Sequence, residues 1–420
     1  MNKAIETHPK NKQTDIEQQY QTIFKKTFGD EPDPIERILS IGVETRKIDM
    51  YALCIIGVLD LREKILSLSQ FLKPKRIKEV MEMIMKGYAG IEHLIPSHLY
   101  PSLHEDFTDT VIIFSRALTQ GYRYLRQTGQ LEDSEKLYAY TQLILDTIQR
   151  LEALAQIEGT GNKKIVRWGA TKESPGSVFF TCRACIAIHN ILRARIVDLN
   201  KKDQLDDMLR GVSTWLVDIM IDDQGITKTE ENNPYFPEAA SGHALQAASE
   251  IFKALDSQFE DERLSMKCKK VFKKLTESDI LSVPSLDWLI NCPANIKEKT
   301  GDKIQENDPY RNDDSGVYAV IGGLASWMEL EPTAYYTPAK RTFLKSWSDD
   351  YIRYENLPSD PYKLQSFMHA FEISLPVIVS EEVSVNLLSL RAGLGNFISP
   401  LKASDSMAEE LFSLLIKRFK

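Results

Sequence analysis

The 420-residue chain is 43% hydrophobic and 27% charged, the make-up of a folded chain rather than a disordered one. Its 20 glycines and 18 prolines fall below the combined average usage of about 12%, which excludes a collagenous or turn-dense all-β chain and favours long helices. A net charge of −8 and a pI near 5.6 argue against a chain-wide nucleic-acid footprint.

The N-terminal stretch MNKAIETHPKNKQTDIEQQ has no apolar h-region, so no secretory signal is expected. The most apolar run, starting at Met50, is broken by Asp60, well short of the about 20 residues a membrane span needs. Five cysteines (Cys54, Cys182, Cys185, Cys268, Cys292) show no framework spacing. Reduced thiols in a soluble cytoplasmic protein are the expectation.

Apolar residues recur at steps of three and four along nearly the whole chain. They predict helices near 33–48, 50–72 and 75–91, then 106–125 on the stripe Phe107, Val111, Phe114, Leu118, Tyr122, Leu125. The next, near 131–154, carries Leu137, Tyr140, Ile144, Ile148 and Leu151. Others follow near 177–199, 204–221, 239–255, 260–275, 313–330, 338–354, 361–379 and 404–419. No period-2 strand series competes with them, so the expected class is all-α.

Within this series a unit recurs. Trp215-Leu216 leads through Asn233-Pro234-Tyr235 to a helix restarting at Ser241-Gly242, and Trp288-Leu289 leads through Asp308-Pro309-Tyr310 to Ser315-Gly316. The anchors repeat at about 74 residues. Trp347 with Asp360-Pro361-Tyr362, and Trp168 with Ser174-Pro175-Gly176-Ser177, are flanking copies, and Ser177 precedes Ser241 by about 64 residues. Each unit reads as helix, polar loop, then a helix capped by Ser or Asp. Such hairpins bury their stripes only by stacking, into a closed α/α toroid or, alternatively, an open α-solenoid. The expected organisation is a repeat domain over 101–420, with 1–100 as an N-terminal helical cap or a further part of the array.

The segment WLVDIMIDDQGITKTEENNPYFPEAASGHALQAASEIFKAL, with Asp223-Gln224-Gly225 at its turn, and the helix DDSGVYAVIGGLASW resemble the α/α-toroid proteins, among them terpenoid cyclases and protein prenyltransferase β subunits. The likeness covers about half the chain. It implies a toroid whose cavity takes an isoprenoid or other apolar substrate. It also implies that Asp313, in Arg311-Asn312-Asp313-Asp314-Ser315, holds the protonating position of a class II cyclase. Arg311 stands in place of that motif's first acid, and a cation there favours an ionised Asp313. The residues themselves read as an Asp-Asp-Ser helix start. The zinc-binding Asp-x-Cys pair of the prenyltransferases does not occur in the sequence.

Cys182, Cys185 and His189 share one helical face with metal-ligand residue types, but a fourth ligand is not local, and Val178 and Leu192 continue the face as a core stripe. Core packing is the expectation and no cofactor is called for. His93, His98 and His104 lie in a Pro-containing loop at spacings that do not stack on a helix. The basic run Lys267, Lys269, Lys270, Lys273, Lys274 reads as a solvated face. If the repeated loops gather at one end, Arg167, Trp168, Tyr235, Tyr310, Arg311, Asp313, Asp314 and Tyr362 become the ligand-binding candidates. Packing of each loop onto the next unit is the structural alternative.

The expected function is therefore a scaffold that binds a small ligand or a protein at the loop-bearing end. A terpenoid cyclase-like enzyme is the alternative.

Overall fold

The computed structural model describes residues 48–64, 72–89, 108–221, 226–227, 237–255, 262–277 and 313–330. These hold nine α-helices: α1 (Ile48–Lys64), α2 (Pro74–Ala89), α3 (Thr108–Gln127), α4 (Ser134–Leu154), α5 (Val178–Ala194), α6 (Leu199–Ile219), α7 (Pro237–Ala254), α8 (Glu262–Glu277) and α9 (Asp313–Leu330). Two short antiparallel pairs accompany them: β1 (Gln156–Glu158) with β2 (Ile165–Arg167), and β3 (Met220–Ile221) with β4 (Ile226–Thr227). The described residues are mostly helical, as the periodicity predicts. The helices expected near 33–48 (apart from Ile48), 338–354, 361–379 and 404–419, and the histidine loop 93–104, lie outside the described residues.

Local chemistry places the boundaries. Asp133 Oδ1 accepts from the Glu135 N–H at 2.9 Å and starts α4; Asp198 Oδ1 accepts from the Lys201 N–H at 2.8 Å and starts α6. Arg195, at φ 53°, ends α5 in the left-handed region. Leu199, predicted as the end of one helix, thus opens the next. Ser241 does not start its helix, because α7 begins four residues earlier at Pro237, whose missing N–H costs nothing at a first helical position. Ser177 occupies the N-cap position of α5, but its hydroxyl does not cap.

The strand pairs are absent from the sequence reading, and both occupy the same place in the chain. β1 follows the end of α4 and β3 follows the end of α6, so each leads the chain away from one helix toward the next of the series. Gly159, at φ 73°, turns the first pair; a side chain there would meet the Lys163 carbonyl.

Helices of alternate rank pack in succession: α1 on α3, α3 on α5, α5 on α7 and α7 on α9. Of the others, α2 and α4 pack on α3, while α6 and α8 pack on α7 and on each other. The contact register gives direction. Cys182 meets Gln246, 64 residues on, and His189 meets Glu250, 61 residues on, so α5 and α7 run parallel. Lys253 with Glu329, 76 residues on, and Phe252 with Trp327 show the same for α7 and α9. The α7–α9 contact is close enough for backbone to touch backbone, with Gly242 facing Ala319 and Gly323.

One hydrophobic core runs through all nine helices, from Ala52 to Met328, so α1 and α2 share the core of the helices that follow. Among the described residues, no helix is long and apolar enough to cross a membrane.

Candidate functional site

The apolar stripe of α3 faces α2 and α4, with Phe114 against Tyr88 and Gly121 against Met81. Asp109, Arg116 and Gln120, spaced by seven and four, share the opposite face. On a surface helix that face would sit in water. Here α1 and α5 cover it, and Asp109, Arg116 and Gln120 are all at least 95% buried. Burying charge without partners is costly, so where each polar atom finds its partner decides what the face does.

At its inner end the face is paired with α1, although Arg116 Nε and Gln120 Oε1 are buried without hydrogen-bond partners. Arg116 Nη2 lies 3.2 Å from Asp60 Oδ2 of α1, and Gln120 Nε2 donates to the other Asp60 oxygen. Burial still weakens the hold of Arg116 on its proton, against the opposing effect of Asp60.

Near the N-terminal ends of α3 and α5 the pairing is incomplete. Arg183 Nε of α5 lies 3.2 Å from Asp109 Oδ1, an ion pair in distance but not aligned as a hydrogen bond. Arg183 Nη2 and the hydroxyls of Thr108 and Thr110 also lack hydrogen-bond partners. The guanidinium lies over the Phe179 ring, 5.2 Å from its centre. Phe179 in turn stands edge-on to His243 of α7, with centres 5.3 Å apart. The His243 ring is partly covered, yet its Nδ1 is buried and unpartnered. Burial, with Arg183 adding to it, pushes the His243 pKa down to about 3, so the imidazole is neutral near pH 7. Burial raises the pKa of Asp109, partly offset by Arg183 and Arg116. Such a neutral His is a weak base but a competent hydrogen-bonding group.

Further along the same helices, polar contacts continue between neighbours. His189 Nδ1 and Glu250 Oε2 are 2.5 Å apart, and Lys253 joins Glu250 at 3.5 Å to Glu329 of α9 at 2.9 Å. The Cys182 thiol lies 3.6 Å from Gln246 Oε1. Burial raises the pKa of both Cys182 and Cys185, which keeps them protonated and unreactive as nucleophiles.

The structure distributes the sequence-derived candidates unevenly. Trp168 is fully buried in the core: its indole N–H donates to Leu151 O at 2.8 Å, and its backbone N–H donates to Thr181 Oγ1 at 3.0 Å. This is a packing role rather than a place in a ligand mouth. Arg167, on β2, pairs with Glu158 and donates to Gln156 Oε1 at 3.2 Å, bracing the β1–β2 pair. Cys182 and Cys185 are core residues, and His189 is held by Glu250. Among the described residues, no group of His, Cys, Asp and Glu could hold a metal ion. Asp313 and Asp314 are the first residues of α9; their side chains, like Tyr235, Tyr310, Arg311 and Tyr362, lie outside the described residues.

Asp109, Arg116, Arg183, His243 and Glu250 were not singled out from sequence. The one available signal was Arg183 itself, a charge inside the apolar run VFFTCRACIAI. The chain matches no family model, and no curated protein is similar enough in sequence to count as a relative.

Proposed function

We propose that the chain is a ligand-binding helical scaffold, an α/α-toroid-like array of parallel helices that takes a small oxyanion-bearing molecule near the N-terminal ends of α3 and α5. The array reading is supported by the parallel packing that recurs from α5 to α7 to α9 and by strand pairs that recur after α4 and α6. One observation carries the binding reading: Arg183 is buried, yet its Nη2 lacks a hydrogen-bond partner and its Nε is poorly aligned on Asp109. Each buried unsatisfied donor costs about 1–3 kcal/mol, a cost that a ligand oxygen on the guanidinium offsets. Neutral His243 and the Thr108 and Thr110 hydroxyls supply further hydrogen bonds. The nearby 168–177 segment, whose Ala170 carbonyl accepts from the Thr108 N–H at 2.9 Å, supports a site on the side of the loops.

A cyclase-like reaction is less well supported. Carbocations need aromatic faces, whereas this face offers Asp, Arg and His with Phe179 already engaged by Arg183. The depressed His243 pKa also makes that residue a poor general base near neutral pH.

The test is thermal denaturation with acetate, malonate or inorganic phosphate against chloride at matched ionic strength. A saturable rise in Tm with at least one of them, lost in Arg183→Met, supports the reading. Stabilisation by none of the three, or equal stabilisation of Arg183→Met, overturns it.

A further inference from the structure

A hollow of about 210 Å³ opens between α2, the end of α3 and the start of α4, on the other side of α3 from the charged cluster. It exists because α2 and α4 meet only lightly there, so their facing stripes do not close over the end of α3. Leu125, Leu131 and Met85 form its apolar wall together with the ring of Tyr140. Leu125, Leu131 and Tyr140 are buried core residues, so the wall is held in place from behind. Ala139, exposed at the edge, leaves the mouth open.

The rim is basic. Lys78 and Lys86 of α2 and Lys136 of α4 all border the hollow, with Glu82 as the one carboxylate among its lining residues. Glu82 is already answered by Lys136, 3.6 Å away. Burial, reinforced by Glu82, raises the Tyr140 pKa, so the phenol stays protonated and adds no negative charge. An apolar pit crowned by two further ammonium groups is complementary to an anion with an apolar body, and repels a cation of the same shape. A cavity of about 150 Å³ holds benzene. The larger volume here leaves room for a phenyl-sized body plus a short link to a carboxylate at the lysines.

We propose that this hollow is a second ligand site, selective for small monocarboxylates whose apolar part is about the size of a phenyl ring. It is independent of Arg183 and of the function proposed above.

The test follows methyl NMR resonances of Leu125, Leu131, Met85 and Ala139 in the full chain, titrated with phenylacetate, with toluene as the neutral probe and benzylamine as the cationic one. Phenylacetate is expected to shift these methyls saturably, with a Kd of roughly 1 mM for one buried phenyl-sized group. Benzylamine is expected to bind several-fold more weakly. Lys78→Gln with Lys86→Gln should weaken phenylacetate roughly three- to tenfold, the scale of rim ion pairs, while leaving toluene unchanged. Ala139→Trp, a surface change that fills the mouth, should abolish the shifts, and Arg183→Met should leave them intact. Absence of saturable shifts, benzylamine binding as tightly as phenylacetate, or shifts surviving Ala139→Trp would each overturn the proposal.

Discussion

The α7–α9 crossing allows a paired test on adjacent glycines of one helix. A methyl placed on Gly323 would lie 2.7 Å from both Cα and the carbonyl carbon of Gly242, and closer still to its oxygen. Carbon atoms pack at about 3.5–4.0 Å, so the two helices must part by roughly 1 Å, and backbone cannot swing away as a side chain can. Overpacking of this kind costs about 1–3 kcal/mol, and the upper end applies because Phe252, Trp327 and the Lys253–Glu329 pair lie along the same crossing. A methyl on Gly322 meets only the Gln246 side chain, at 3.7 Å, an ordinary contact. Both changes gain the same helix propensity, about 1 kcal/mol in favour of Ala. Gly322→Ala should therefore be neutral or slightly stabilising, and Gly323→Ala less stable than it by about 3 kcal/mol, or roughly 3–4 °C in Tm for a chain of this length. Thermal and urea unfolding by far-UV circular dichroism, with Trp fluorescence as a second probe of this region, measure the difference. Equal stability of the two variants would refute the backbone-to-backbone crossing.

Arg195 holds a left-handed conformation at an exposed position, so Arg195→Gly should raise stability by about 1 kcal/mol, read as a higher urea midpoint at unchanged slope. Arg183→Met leaves Asp109 buried without its cation and should cost about 3 kcal/mol; adding Asp109→Leu should recover most of that, a non-additivity that a double-mutant cycle detects. His243 binds its proton near pH 6.5 when unfolded but only near pH 3 when folded. Below pH 6.5 the unfolded chain therefore holds more protons at this site, and the stability from neutral His243 is lost as pH falls, by at most about 1.4 kcal/mol per pH unit. His243→Gln should flatten stability between pH 4 and about 6.5; an unchanged slope in that range would mean that His243 is not shielded as described.

Helical periodicity made the class of the protein legible before any coordinates, because each α-helix here has an apolar stripe that needs a partner. The stripe of α3 is the clearest case, as Val111, Phe114, Leu118, Tyr122 and Leu125 are all buried. The spacing of 64 residues between Ser177 and Ser241 equals the separation of Cys182 and Gln246, which meet between α5 and α7, while the Pro-Tyr loops that define the expected repeat lie outside the described residues. The strand pairs were not legible, because two or three residues are too few to set up an alternation, and their pairing depends on chain ends brought together by packed helices. Pro237 shows why a boundary went astray: its value as a helix start depends on the backbone conformation around it.

The candidate site belongs almost wholly to tertiary structure. In sequence, Asp109, Arg116 and Gln120 form the polar side of an amphipathic helix, indistinguishable from a solvated face. Trp168 looked like a binding aromatic because nothing in the sequence said its indole would reach Leu151. Local pattern decided which side of each helix is apolar. Only the packing of α1 and α5 on α3, and of α7 on α5, decided that these polar groups would leave water, and that burial is what gives Arg183 and His243 their chemistry.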